Sequence, residues 1–143
     1  MTLKTKHFGQ VDIDESKVIS FEQGIPGFPQ LKKFSLMAQQ DSSNNGMFYY
    51  LQSVEDGNTA FLVVDMLKCY PDYNPLVEAS EISSLGNYNP DTFRFYNIAV
   101  VPENVKDATV NLKAPVVINT SNKVGKQVVC TNDEYTVSHF MFK

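Results

Sequence analysis

The sequence predicts a mostly β fold: a small, single-domain antiparallel sheet curled into a barrel-like form, with one short helix. Three observations carry this. Runs of aromatic and β-branched residues, each bounded by Gly, Pro, Asn, Asp or Ser, recur roughly every 10–15 residues, as short strands joined by turns do. Only Ser80 to Gly86 has helical character. Phe48 to Asp65 reads as a hairpin, two such runs separated by Glu55-Asp56-Gly57-Asn58, and Asp-Gly is a strong turn signal. Its second half, Ala60 to Val64, is apolar throughout, which predicts a strand covered on both faces and therefore central.

The other elements follow in order. Leu3 to Phe8 and Val11 to Ile13 are short extended pieces, and Val18 to Phe21 is the next strand. Gly24-Ile25-Pro26-Gly27-Phe28-Pro29 cannot be regular structure, because the prolines lack donors and the glycines permit positive φ; Ile25 and Phe28 are expected to tuck inward. Leu31 to Met37 resumes as a strand, and Asp41 to Gly46 is a polar loop tip. After Asp65 the chain is irregular, with Pro71 and Pro75 excluding a helix between them. Leu76 to Glu78 reads as a brief strand, and the turn from Ser80 has that serine as its expected N-cap and Gly86 as its stop. Phe93 to Val101, Ala108 to Leu112, Val116 to Ile118, Gln127 to Cys130 and Tyr135 to Phe142 read as strands, with a loop at Asn122 to Lys126.

The chain has 143 residues, 43% hydrophobic and 20% charged, which suits one folded domain over 1–143. No apolar run approaches the roughly 18–20 residues that span a bilayer. Met1 to His7 is charged and lacks the apolar stretch of a secretory signal. Cys69 and Cys130 form neither a disulfide framework nor a metal-ligand spacing, which fits a reducing cytoplasm. The net charge of −4 is unevenly spread: Phe34 to Phe93 holds eight acids and one base, Lys68, for −7, and the remainder carries +3. A single arginine, Arg94, and the absence of a basic cluster disfavour direct nucleic-acid binding.

No catalytic signature emerges. Gly24 and Gly27 lack the Lys-Ser/Thr of a phosphate loop. His7 and His139 have no local spacing to Cys69 or Cys130 that would make a nucleophile or metal site. Glu55 and Asp56 sit at a hairpin tip, where solvated acids are common. The surplus of tyrosines is more informative: Tyr49, Tyr50, Tyr70, Tyr73, Tyr88 and Tyr96 fall in or near the acidic middle, and some suit a protein-binding surface.

Several stretches then carry a family resemblance. Gly24-Ile25-Pro26-Gly27-Phe28, Leu51-Gln52-Ser53 with Glu55-Asp56, Ala60 to Val63, Tyr70 to Tyr73, Val110 to Asn119, and Gly125 to Val129 with Tyr135 occur in this order. Together they resemble the FliW family of flagellar assembly factors over nearly the whole chain. One departure is Asp65-Met66, where the family often has Asp-Pro, so the exit from the central strand should differ. The resemblance implies a β-barrel-like fold, no catalysis, no cofactor or metal, a monomer, and a cytoplasmic role in partner switching. The partners it implies are flagellin and the RNA-binding translational repressor CsrA, held off the flagellin messenger while bound. An acidic, tyrosine-bearing face suits a basic protein partner. Its expected contact residues are Asp65, Asp72, Tyr73, Glu78 and Glu81. The competing reading is a small-molecule-binding β-barrel or small hydrolase, which would need a concave apolar cavity with convergent polar groups.

Overall fold

The computed structural model describes residues 1–38, 47–70 and 72–142. The strands are β1 (Thr2–Thr5), β2 (Gly9–Asp12), β3 (Ile19–Ser20), β4 (Lys33–Ala38), β5 (Phe48–Ser53), β6 (Ala60–Val64), β7 (Phe93–Val100), β8 (Thr109–Val110), β9 (Val116–Asn119), β10 (Val124–Gln127) and β11 (His139–Phe140). Two one-turn helices, α1 (Met66–Cys69) and α2 (Ala79–Ile82), lie between β6 and β7. The predicted loop tip at Asp41 to Gly46 falls outside the described residues.

The hairpin forms where the sequence places it. β5 and β6 pair antiparallel, with Leu51 opposite Phe61 and Tyr49 opposite Val63. β4 joins the free edge of β5, and β7 joins that of β6, so the hairpin is interior to the sheet. From β4 the sheet continues through β3 and β10 to β9, and β9 pairs back onto β7. Seven strands thus close into a barrel. β7 is the junction: Phe93 to Tyr96 pair with β9, while Ala99 and Val100 pair with β8, which carries β11. Every ladder is antiparallel except the β3–β10 contact, Ser20 beside Val124, which is parallel.

Alternation along the strands sorts side chains into three clusters. The barrel interior holds Ile19, Phe21, Ile25, Leu31, Phe34, Leu51, Val63, Tyr96, Val116 and Ile118. Val64, Met66, Tyr73, Ala99, Val110 and Leu112 form a second cluster. Leu85, Phe93, Val117 and Val128 form a third, with Val77, Ile82 and Phe95 against it. On β6, Val63 joins the first cluster and Val64 the second, so this apolar strand is covered on both faces, as a run without polar residues requires.

Several local expectations shift. Leu76 to Glu78 is extended but is not a strand, and Tyr135 to Phe142 pairs only at His139–Phe140. The predicted loop at Asn122 to Lys126 is largely β10. The chain after Asp65 turns at once into α1, an additional helix that sequence reasoning missed. The cap of α2 is Glu78 rather than Ser80, and it makes no side-chain cap bond. Ile25 is buried, but Phe28 is 36% exposed, resting edge-on against Phe61. Gly86 ends the following 3-10 turn at φ +108, as a glycine stop should.

Phe21 explains why a glycine stands in β10. A Cβ on Gly125 would lie 2.6 Å from Phe21 Cζ, and the fully buried ring has no room to withdraw. Gly125→Ala is therefore expected to destabilise the barrel by about 1–3 kcal/mol, read as a fall of several degrees in thermal midpoint. An unchanged midpoint would show that the ring can give way.

Candidate partner-binding site

The acidic middle of the chain wraps the outside of the barrel between α1 and β7, and side chains rather than a ladder hold it there. Asp65 N–H donates to Met47 O at 2.8 Å, closing the end of the hairpin. Met66 opens α1, a first-turn position that a proline would also fit, and buries its side chain at 2% exposure. Tyr73 follows. Its hydroxyl donates to Leu112 O at 2.7 Å and accepts from Asn97 Nδ2 at 2.9 Å. Downstream, Asn74 N–H donates to the Tyr135 hydroxyl (2.9 Å), Leu76 N–H to Asn132 Oδ1 (2.7 Å), and Thr131 N–H to Leu76 O (2.8 Å). These bonds satisfy backbone groups that a strand partner would otherwise take, which is why no strand forms at Leu76 to Glu78. Farther along, Asn119 and Asn122 both donate to Leu85 O, at 2.7 and 3.1 Å.

The five expected contact residues therefore separate. Asp72 and Glu78 are exposed and make no ion pair among the described residues. Glu81 is partly exposed and pairs with Lys126 Nζ on β10 at 2.8 Å. Asp65 is half-buried at the end of β6. Tyr73 is a correction: at 5% exposure it belongs to the core, with its hydroxyl spent on internal bonds, and it offers no surface to a partner. Burial, ahead of all else, holds its phenol well above the usual tyrosine range. Tyr96, inside the barrel, is pushed up to about 12 by burial first, then by Tyr49 and the Asp65 carboxylate.

The remaining candidates serve structure. Glu55 accepts from the N–H groups of Lys32 and Lys33 at 2.6 and 2.8 Å, bracing the hairpin tip against the start of β4. Asp56 accepts from Thr59 Oγ1 and Asn58 N–H, and these bonds lower its carboxyl from the ordinary aspartate value. His7 stacks on Tyr50 at 4.3 Å, and His139 meets the edge of Tyr70. Cys130 is buried with its thiol directed at Leu112 O.

Beside Glu78 and Glu81 lies a feature that sequence reasoning missed. An open apolar groove of about 610 Å³ runs between the 75–79 segment, α2 and β7. Leu76, Val77, Ala79, Ile82, Tyr88 and Phe95 are among its lining residues. The signals were there in Leu76-Val77 and Tyr88, read as a strand and a turn because nothing local says that they face one another.

The Asn111–Pro115 block gains a physical reason. Its five carbonyls all accept. Asn111 O takes Asn97 Nδ2 (2.7 Å), Leu112 O the Tyr73 hydroxyl, and Lys113 O the Cys130 N–H (2.9 Å). Ala114 O takes Gln127 Nε2, and Pro115 O the Val128 N–H, both at 3.0 Å. The model of the FliW protein family matches residues 2–141. The chain belongs to the FliW family. It is 36% identical over 143 residues to the flagellar assembly factor FliW of Alkaliphilus metalliredigens (strain QYMF), covering all of this chain and 87% of that relative. The FliW of Geobacillus sp. (strain WCH70) is 36% identical over 142 residues, covering 99% of this chain and 96% of the relative. A crystal structure of the flagellar assembly factor FliW matches with a TM-score of 0.90 at 33% identity, covering 100% of this chain and 98% of that one. These FliW proteins are named as assembly factors rather than as enzymes. No helix among the described residues is long and apolar enough to cross a membrane.

Tyr73 yields a prediction for both stability and titration. Tyr73→Phe removes the donor to Leu112 O and the acceptor for Asn97 Nδ2, so it should cost about 1–3 kcal/mol in denaturant unfolding. Both Tyr73 and Tyr96 have folded values above the unfolded value of 10.0, so their contribution is fully present below pH 10 and is lost as pH rises through the folded values. Absorbance titration should show two of the seven tyrosines ionising late, with Tyr73→Phe and Tyr96→Phe each removing one. A single common step for all seven would contradict this.

Proposed function

We propose that the chain is a non-enzymatic flagellar assembly factor that acts in the cytoplasm as a monomeric partner switch. It binds newly made flagellin and the RNA-binding repressor CsrA. CsrA bound to it is kept from the flagellin messenger; flagellin, when it accumulates, occupies the factor and releases CsrA. The observation that carries this reading is the acidic outer segment, with Asp72 and Glu78 exposed and free of ion pairs among the described residues. Such a face speeds encounter with a basic partner and lends the binding a salt dependence. Beside CsrA, the same charge would repel RNA phosphates. Family membership supports the flagellar setting. The alternative of a barrel that holds a ligand inside is weakened by the interior, where Phe21, Phe34, Leu51 and Val116 are fully buried and fill the space a ligand would need.

The test is calorimetric titration of CsrA into the wild-type chain and into Asp72→Lys/Glu78→Lys at two salt concentrations. Both residues are exposed, so stability should change by no more than about 0.5 kcal/mol. Affinity should fall on the order of tenfold at low salt, with a shallower salt slope. Unchanged affinity together with an unchanged slope would overturn the acidic-face mechanism.

A further inference from the structure

The acids alone do not account for the shape of this surface. We propose that the groove beside Glu78 is an anchoring pocket for a short amphipathic segment of a protein partner, one that inserts bulky apolar side chains and carries Lys or Arg next to them. The proposal rests on the partner-binding reading above and names the chemistry of what is bound.

Three observations converge. First, the walls are apolar and unusually open: Leu76 is 52% exposed and Tyr88 is 58% exposed, over a floor formed by Val77, Ile82 and Phe95. Large apolar side chains left in water around a concave site mark a surface that another molecule covers. The volume of about 610 Å³ lies within the range of ligand pockets, roughly 300–1,000 Å³, and accommodates a few side chains rather than a whole domain face.

Second, the segment that builds most of the groove carries charge of one sign. From residue 69 to residue 93 the chain contains Asp72, Glu78, Glu81 and Asp91, and no Lys, Arg or His. Lys126 answers Glu81 from β10, and Arg94, beside the groove-lining Phe95, turns its guanidinium to the Phe93 carbonyl, which leaves Glu78, between the groove-lining Val77 and Ala79, with no ion pair among the described residues. A purely apolar occupant would leave that charge facing a low-dielectric contact, whereas a segment with a flanking cation would pair it. Apolar anchors with adjacent basic residues are what an amphipathic segment in a groove presents.

Third, the groove is held in shape. Asn132 and Thr131 fix both backbone groups of Leu76. The Tyr88 ring packs edge-on against Phe93 at 5.2 Å. Asn119 and Asn122 clamp the Leu85 carbonyl just before Gly86, which turns the chain at φ +108 along the groove wall. A site already in its bound shape loses little entropy on binding.

The experiment titrates purified flagellin and purified CsrA into four forms of the full chain at low and high salt. These are the wild type, Leu76→Ser/Tyr88→Ser, Ala79→Phe, and Val105→Ser/Val137→Ser. The first variant strips the walls and the second fills the groove. The third removes exposed apolar surface elsewhere, since Val105 is 57% and Val137 66% exposed. Both groove variants should lose at least tenfold in affinity for one partner, by a factor that does not change with salt, while the control binds like wild type. If the wild type binds a partner and the Ala79→Phe variant, with an unchanged thermal midpoint, binds it equally well, the groove proposal is overturned and the acidic-face reading stands. If the wild type binds neither protein, the partner-switch reading itself falls, and the groove proposal with it.

Discussion

Pairing of β7 with β9 is the constraint on which the rest of the structure depends. Without it, β9 would be the edge of an open sheet, and the interior cluster would lose Val116 and Ile118 as one of its walls. With it, Phe93 and Phe95 are directed outward, where they must be covered. That need is met by the 77–88 segment, whose Val77, Ile82 and Leu85 pack over Phe93 and Phe95. The outer segment is thus a consequence of barrel closure: the strand that completes the interior also creates an exterior apolar surface.

The loop from Asn111 to Pro115 plays the matching part at the other end. It has almost no regular structure, yet every one of its five carbonyls is taken by a group from elsewhere in the chain: β7, the Tyr73 loop, the last residue of β10 and the chain just after it. Buried irregular backbone is tolerable only when its polar groups are paired. Asn97 and Tyr73 are joined in one chain of hydrogen bonds to this loop, so the outer segment, the junction strand and the tail share a common fastening. A motif that looks like a loop is therefore as constrained as a strand.

Much of the fold was legible because it depends on local rules. The Asp-Gly hairpin, the alternation along β7 and the Gly-Pro turn each carry their reason within a few residues. The failures share the opposite property. β10 looked like a loop because of Gly125 and Lys126, but the glycine answers to Phe21, over a hundred positions earlier, and the lysine to Glu81. Tyr73 looked like a surface residue among acids and prolines. Its place in the core is set by Asn97 and Leu112, 24 and 39 residues away. The alternation read over Tyr135 to Phe142 is realised only around His139–Phe140: Val137 is exposed, and Tyr135 has its hydroxyl engaged by Asn74 N–H instead of joining a ladder. Asp72, Glu78 and Glu81 were readable as a charged surface from composition alone, whereas the groove beside them required three separate stretches to be brought together.

The way the 74–88 segment is attached has a further consequence. Strands of the barrel are bonded to neighbours on both sides, so exposing one of their amides to solvent means breaking the closed sheet. Asn74, Leu76 and Leu85 are held instead mostly by side chains, those of Tyr135, Asn132, Asn119 and Asn122, with one backbone bond from Thr131 N–H to Leu76 O. Lifting the segment would also uncover Phe93, Val117 and Val128, against which Leu85 is buried, so the segment and the outer face of the barrel stand or fall together. The side chains that close the barrel from outside and those that line the groove therefore belong to one cooperative unit. A molecule seated in the groove would thus bear on the packing over Phe93 and Phe95 and, through β7, on the strand that closes the barrel.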